Sequence, residues 1–144
     1  MRTGYVCAIA GAAALLGSLV TMAAQKPRQT STVFDWTMLD AKPTATGSLR
    51  DVMRAPTSTL EELEMHITTL NVGQVSHPPH RHPEEELLIV KEGIVETLQN
   101  GKASRLGPGS SIFHSSNDLH NIRNAGTTQA TYHVIQWRAS SAPK

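Results

Sequence analysis

The sequence predicts an all-β domain, a sandwich or barrel of short strands, on three observations. No stretch beyond residue 25 carries a helical period, the β-type segments are short and punctuated by Gly, Pro and Asn, and an Asn-Gly pair separates two of them. Short strands with frequent turn residues are the mark of all-β sandwiches and barrels. The 144 residues allow one such domain.

The first 24 residues read as something else. Arg2 supplies a short positive start, an apolar run extends from Tyr5 to Val20, and small residues close it at Thr21-Met22-Ala23-Ala24. That order is the signature of a secretory signal peptide, cut after Ala23 or Ala24. A membrane anchor is the competing reading, but 16 apolar residues fall short of the roughly 20 that a spanning helix needs. Export places the mature protein outside the cell or in a periplasm. The sole cysteine, Cys7, leaves with the signal, so disulfides are excluded although export would permit them.

Residues 25–47 are polar, with Pro27, Pro43, Gly47 and many threonines, and read as an extended arm. The β-domain follows at 48–140. Its candidate strands begin with 49–54, ended by Ala55-Pro56, and 63–71, where Leu63, Met65 and Ile67 alternate with Glu64, His66 and Thr68. Such alternation describes a half-buried strand. Residues 85–90 end in Leu87-Leu88-Ile89-Val90, an apolar run that fits a strand covered on both faces. Asn100-Gly101 joins 94–99 to 102–106 as a type I′ hairpin, because both residues tolerate positive φ. Shorter strands at 110–114 and 121–123 precede a last one at 130–138, rich in β-branched and aromatic residues.

Net charge is +1, from 13 basic and 12 acidic residues, with no basic run. Nothing in that pattern points to nucleic acid, or to a membrane surface once the signal is removed. The seven histidines all fall between His66 and His133, so their placement carries the information.

The informative stretch is His80-Arg81-His82-Pro83-Glu84-Glu85-Glu86. If it is extended, His80, His82 and Glu86 share one face. Two imidazoles and a carboxylate suit zinc, manganese, iron or nickel. One strand cannot surround an ion, and His120, set among turn-type residues, is the natural further ligand. Should Glu85 be the carboxylate instead, a bulge would have to shift the strand's phase.

These residues resemble the two sequence motifs of the cupin superfamily. Gly73, His80-Arg81-His82, Glu86 and Gly93 follow the first motif, with six residues instead of five after Gly73. Gly109, His120 and Asn124 follow the second at its spacing, with Ser115-Ser116-Asn117 in place of Pro-x-Gly. Asn is the commonest non-Gly residue at positive φ, so that turn can survive the change. The resemblance covers roughly residues 60–138. It implies a double-stranded β-helix, the jelly-roll barrel, with His80, His82, Glu86 and His120 holding one divalent transition metal (Mn, Fe, Zn or Ni).

Four protein ligands leave one or two positions open on a five- or six-coordinate ion, and an open position separates catalytic from structural sites. The expectation is a small-molecule metalloenzyme acting on a carbonyl- or carboxylate-bearing substrate. Oxygenase, decarboxylase, isomerase and lyase chemistry all stay open. The alternative is a non-catalytic cupin that binds a small molecule or sugar through the metal. His114, His133, Tyr132 and Gln136 are candidate substrate contacts, with His133 and Tyr132/Gln136 on opposite faces of the last strand and neither face yet assigned to the interior. His77 is open in the same way. Leu87 and Ile89 face away from the ligands and need cover, which makes a homodimer the expected assembly.

Overall fold

The computed structural model describes residues 26–140, so the expected signal peptide at 1–24 lies outside the described residues. Nine strands follow one another: β1 (Lys42–Thr44), β2 (Gly47–Ala55), β3 (Leu60–Leu70), β4 (Glu85–Glu92), β5 (Val95–Gln99), β6 (Lys102–Leu106), β7 (Ser111–His114), β8 (His120–Asn124) and β9 (Ala130–Ala139). The helical content of the described residues is one 3₁₀ turn, Trp36–Met38, capped by Asp35, whose carboxylate accepts from the Thr37 amide and hydroxyl. No helix among them is long and apolar enough to cross a membrane.

The strands form a six-stranded sheet in the order β1-β2-β3-β9-β4-β7 and a three-stranded sheet in the order β6-β5-β8, antiparallel throughout. Between them lies a core of Leu70, Leu88, Val90, Val95, Ile112, Ile122, Ala130, Tyr132 and Val134. This is the expected all-β jelly-roll barrel. Alternation along each strand aims every second side chain inward, and the inward series also carries polar groups: Glu86 above Leu88 on β4, His114 after Ile112 on β7, His120 before Ile122 on β8.

The turns follow from local backbone demands. Asn100 (φ 47°) and Gly101 (φ 84°) form the two-residue link between β5 and β6, as a type I′ hairpin requires. Asn117 has φ 62°, so asparagine does take the left-handed position before His120. Gly93 turns the chain from β4 to β5 at φ 76°, where an added Cβ would lie 2.5 Å from the Gln129 carbonyl oxygen. Asn124 ties the far end together. Its Nδ2 donates to the carbonyls of Leu70 (3.0 Å) and Thr128 (2.8 Å), and its Oδ1 accepts from the Gly126 amide (2.9 Å).

On two strands the structure decides which face is inside, and on β4 it differs from expectation. On β3 the polar residues Thr68 and His66 line the interior cavity, and the apolar residues Met65 and Ile67 face outward. Part of the arm covers them: Phe34, Trp36 and Leu39 sit over Val52, Met65 and Ile67. Trp36 is fixed there by two cations over its ring, Arg50 at 4.7 Å and Lys91 at 4.3 Å. On β4 the apolar run is not covered on both faces, because Leu88 and Val90 are buried while Ile89 is 37% exposed. Residues 42–44 of the arm are themselves a strand, paired to β2 at the edge of the large sheet.

Candidate metal centre

His80 and His82 do not lie on a regular strand. They belong to the segment between β3 and β4, which runs along β8. Ser76 donates to the Ile122 carbonyl, Asn124 donates to the Gln74 carbonyl, and His80 and His120 exchange backbone hydrogen bonds at 3.1 Å. That last bridge sets two imidazoles side by side. A bend through Pro83 then returns the chain to β4 at Glu85.

The three rings converge. Their centroids are 5.2 Å apart for His80–His82, 4.7 Å for His80–His120 and 4.8 Å for His82–His120, and one ring nitrogen of each lies within 4.8 Å of the others. The Glu86 carboxylate completes the group, 3.8 Å from both His82 Nε2 and His120 Nε2. Glu85 points to the other face, where its carboxylate accepts from Trp137 Nε1 at 2.8 Å. No bulge is needed, and Glu86 is the inward carboxylate.

The chemistry of this donor set fits a metal ion. Buried polar atoms are nearly always hydrogen-bonded, yet His80 Nδ1, His82 Nε2 and His120 Nε2 are buried without a partner. Backbone carbonyls fix two of these rings. Nδ1–H of His82 donates to Glu84 (3.1 Å) and Nδ1–H of His120 donates to Asp118 (2.8 Å). In the neutral form each then carries its lone pair on Nε2. Burial, and then the neighbouring imidazoles, push His80 below the ordinary histidine value, and burial does the same to His120, favouring the form that can ligate.

Glu86 is held from behind. Nδ1–H of His114 donates to its Oε1 at 2.8 Å, and Nε2 of Gln136 donates to its Oε2 at 2.5 Å. Burial alone would raise this carboxyl; the bonds from His114 and Gln136, with the charges of His114 and His120, reverse that and hold it at about 2. Such outer contacts orient a ligating carboxylate.

The cavity beside this group is about 310 Å³. Leu88, Ile122 and Val134 form its apolar part, while Thr44, Thr46, Ser48, Thr68, Ser76 and Tyr132 give it a hydroxyl-rich wall. Among the described residues no Arg or Lys lines it. A carboxylate bound inside would therefore find its positive charge only at the imidazoles and whatever ion they hold.

The substrate-contact candidates separate clearly. Tyr132 and Gln136 line the cavity, which assigns their face of β9 to the interior. Tyr132 is nearly fully buried, and burial pushes its phenol well up. His133 is a correction: it faces the outer groove beneath Phe34 and Trp36, so it cannot touch a ligand in the barrel. His114 is another correction. It is 2% exposed, stacked on His120 at 4.1 Å, and both its nitrogens are engaged, Nδ1 by Glu86 and Nε2 by Thr97 Oγ1 at 3.1 Å. His114 supports the carboxylate and does not reach the cavity. His77 does line it, edge-on to His80 at 3.9 Å. Sequence reasoning missed His66, a cavity residue bonded through Nδ1 to Glu64 at 2.8 Å. The signal was present in the two-residue spacing, which sets both side chains on one face.

Comparison with known proteins agrees with this architecture. The family model described as "Cupin domain" matches residues 66–136. Dimethylsulfoniopropionate lyase DddQ of Ruegeria pomeroyi is 34% identical over 64 residues, 44% of this chain and 31% of that protein. The chain thus matches about a third of that relative's length. KdgF from Halomonas sp. superimposes with a TM-score of 0.64 at 18% identity, over 77% of this chain and 97% of KdgF. An RmlC-like cupin from Shewanella frigidimarina superimposes with a TM-score of 0.60 at 17% identity, over 82% of this chain and 97% of the other. At these identities the structural likeness speaks for the fold. With the two motifs, the barrel and the family match in agreement, the chain belongs to the cupin superfamily.

Proposed function

We propose that this cupin is an exported mononuclear metalloenzyme for a small carbonyl- or carboxylate-bearing substrate. His80, His82, Glu86 and His120 hold one divalent transition metal, and the observation that carries the reading is the trio of buried, unpartnered imidazole nitrogens facing one carboxylate. Bound there, the ion supplies Lewis acidity to a carbonyl or carboxylate oxygen. The chain's own residues do the rest. His114 and Gln136 keep Glu86 ionised and aimed. Leu88, Ile122 and Val134 limit water on one side of the chamber, and the hydroxyl wall receives the polar part of the substrate. The lyase activity named for the Ruegeria relative lies within this class. Support for export rests on the N-terminal pattern of charge, apolar run and small residues.

We further propose that two copies pair through the outer face of the large sheet. Leu87, Phe113 and Ile135 stand in one row across β4, β7 and β9. Phe113 is 48% exposed, stacks on Trp137 at 6.2 Å, and lies beside the exposed Ile89.

Elemental analysis of the purified protein beside a His82→Ala variant, without chelator, tests the metal reading. One equivalent of a transition metal in the first and none in the second is the expected outcome. No metal in either, even after reconstitution, would refute it.

A further inference from the structure

The chamber has a second charged feature that the metal reading does not use. Glu64 and His66 project inward from β3, and Nδ1 of His66 lies 2.8 Å from Glu64 Oε1. Arg54, on the neighbouring β2, approaches the other carboxylate oxygen at 3.3 Å. Both side chains are largely shielded, at 20% exposure for His66 and 13% for Glu64. Burial would raise the Glu64 carboxyl, but His66 and Arg54 together bring it below its ordinary value, so it stays ionised and accepts from Nδ1–H. That fixes the tautomer. The lone pair of the neutral ring is on Nε2, which no described residue engages, and the ring lines the chamber.

The position of this pair matters as much as its chemistry. Strand register runs Glu64–Gln136–Glu86 in one row and His66–Val134–Leu88 in the next. His66 is thus two strands from β4, or roughly 10 Å at the usual inter-strand spacing. His66, His80 and Glu86 line one cavity, with His66 and Glu86 two strands apart on the same sheet and room between them for a small molecule. Asp51, across from His66 on β2, is occupied by Lys42. His77, His80, Glu86 and Tyr132 are the other titratable groups that line the cavity among the described residues.

We propose that His66 is the general base of this cupin, with Glu64 as its positioning residue, and that it acts on a carbon acid next to a carbonyl or carboxylate. The proposal rests on the metalloenzyme reading above, because the substrate oxygen is held at the His80/His82/Glu86/His120 group. In the step, the C–H bond next to the carbonyl breaks. Its proton passes to His66 Nε2, and its electron pair stays on the substrate as an enolate. Return of the proton to carbon regenerates the imidazole and closes the exchange. Of the reactions open to a cupin site, this dyad selects those that begin by proton abstraction, isomerisation and elimination, over those that begin with oxygen.

The test uses the metal-loaded full protein and pyruvate in D₂O, with loss of the methyl proton signal followed by NMR. Wild type is expected to exchange the methyl protons well above the buffer rate. His66→Ala should lower that excess by about 10²-fold or more, the usual share of a general base, while metal content stays at the wild-type value. Glu64→Gln, close in shape to the original, should lower kcat for exchange about 10-fold or more with KM little changed. A merely structural role would not produce that split. A second readout needs no turnover: diethyl pyrocarbonate should acylate His66 in wild type, located by peptide mapping, and pyruvate should protect it. Exchange in His66→Ala at the wild-type rate overturns the dyad and leaves the metal centre standing. Absence of exchange in fully metal-loaded wild type also overturns it. Failure of the metal reading itself shows separately, as wild-type protein that binds no metal.

Discussion

Removing the charge at Glu86 should change how the metal-free protein responds to acid. The carboxyl sits at about 2 in the folded protein against an ordinary 4.5. Its folded value is the lower one, so the unfolded chain binds more protons as the pH falls below about 4.5. The stability it contributes is complete above that point and is lost on the way to about 2. At 1.36 kcal/mol per pH unit the contribution is on the order of 3 kcal/mol, and for a domain of this size that is a melting-temperature difference on the order of 10 °C. The assay is thermal unfolding by circular dichroism of chelator-treated wild type and Glu86→Gln at intervals between pH 5 and pH 2.5. Wild type should melt higher at pH 5, and the gap should close as the pH falls. Other depressed carboxyls, such as Glu64 and Glu96, act on both proteins and drop out of the difference. A gap that stays constant or widens toward pH 2.5 would refute the reasoning, since it would mean that His114 and Gln136 do not hold Glu86 ionised.

Two further outcomes follow from the same structure. Asn124→Ala removes the partner of two carbonyls and one amide at a buried position; it should cost about 2–4 kcal/mol in urea unfolding, with metal content unchanged. Phe113→Asp combined with Ile89→Lys should convert a dimer to a monomer by light scattering while the protein keeps its metal; a wild-type monomer at micromolar concentration would sink the pairing proposal.

Where a requirement is local, the sequence was readable. Asn100-Gly101 and Asn117 occupy left-handed backbone, and residue type alone signals that. The convergence of His80, His82, Glu86 and His120 was readable for another reason: three rings and a carboxylate at set spacings leave few arrangements that bring them together. Yet His80 and His82 are outside any regular strand, and a single bridge sets His80 beside His120. What stayed hidden is which face of a strand is inside. Alternation on β3 says that Met65 and Ile67 share a side, and nothing in it says that an aromatic stretch of the arm waits outside to cover them. The same ambiguity concealed His114, whose place behind Glu86 depends on a β4–β7 register between residues 28 apart. Ile89 in an apolar run looks like two-sided burial, yet it is 37% exposed.

The arm straddles the edge of the large sheet. Phe34, Trp36 and Leu39 grip its outer surface, while Thr44 and Thr46 reach the chamber. The cavity therefore has two builders: the barrel, which carries His80, His82, Glu86 and His120, and a stretch of chain outside the cupin motifs. The grouped imidazoles and carboxylate, and part of the hydroxyl wall, come from separate stretches of chain. Larger or charged side chains at 44 and 46 would re-shape the cavity while His80, His82, Glu86 and His120 keep their places, and cleavage ahead of Gly47 would remove that part of the wall and leave the cavity with a wider mouth.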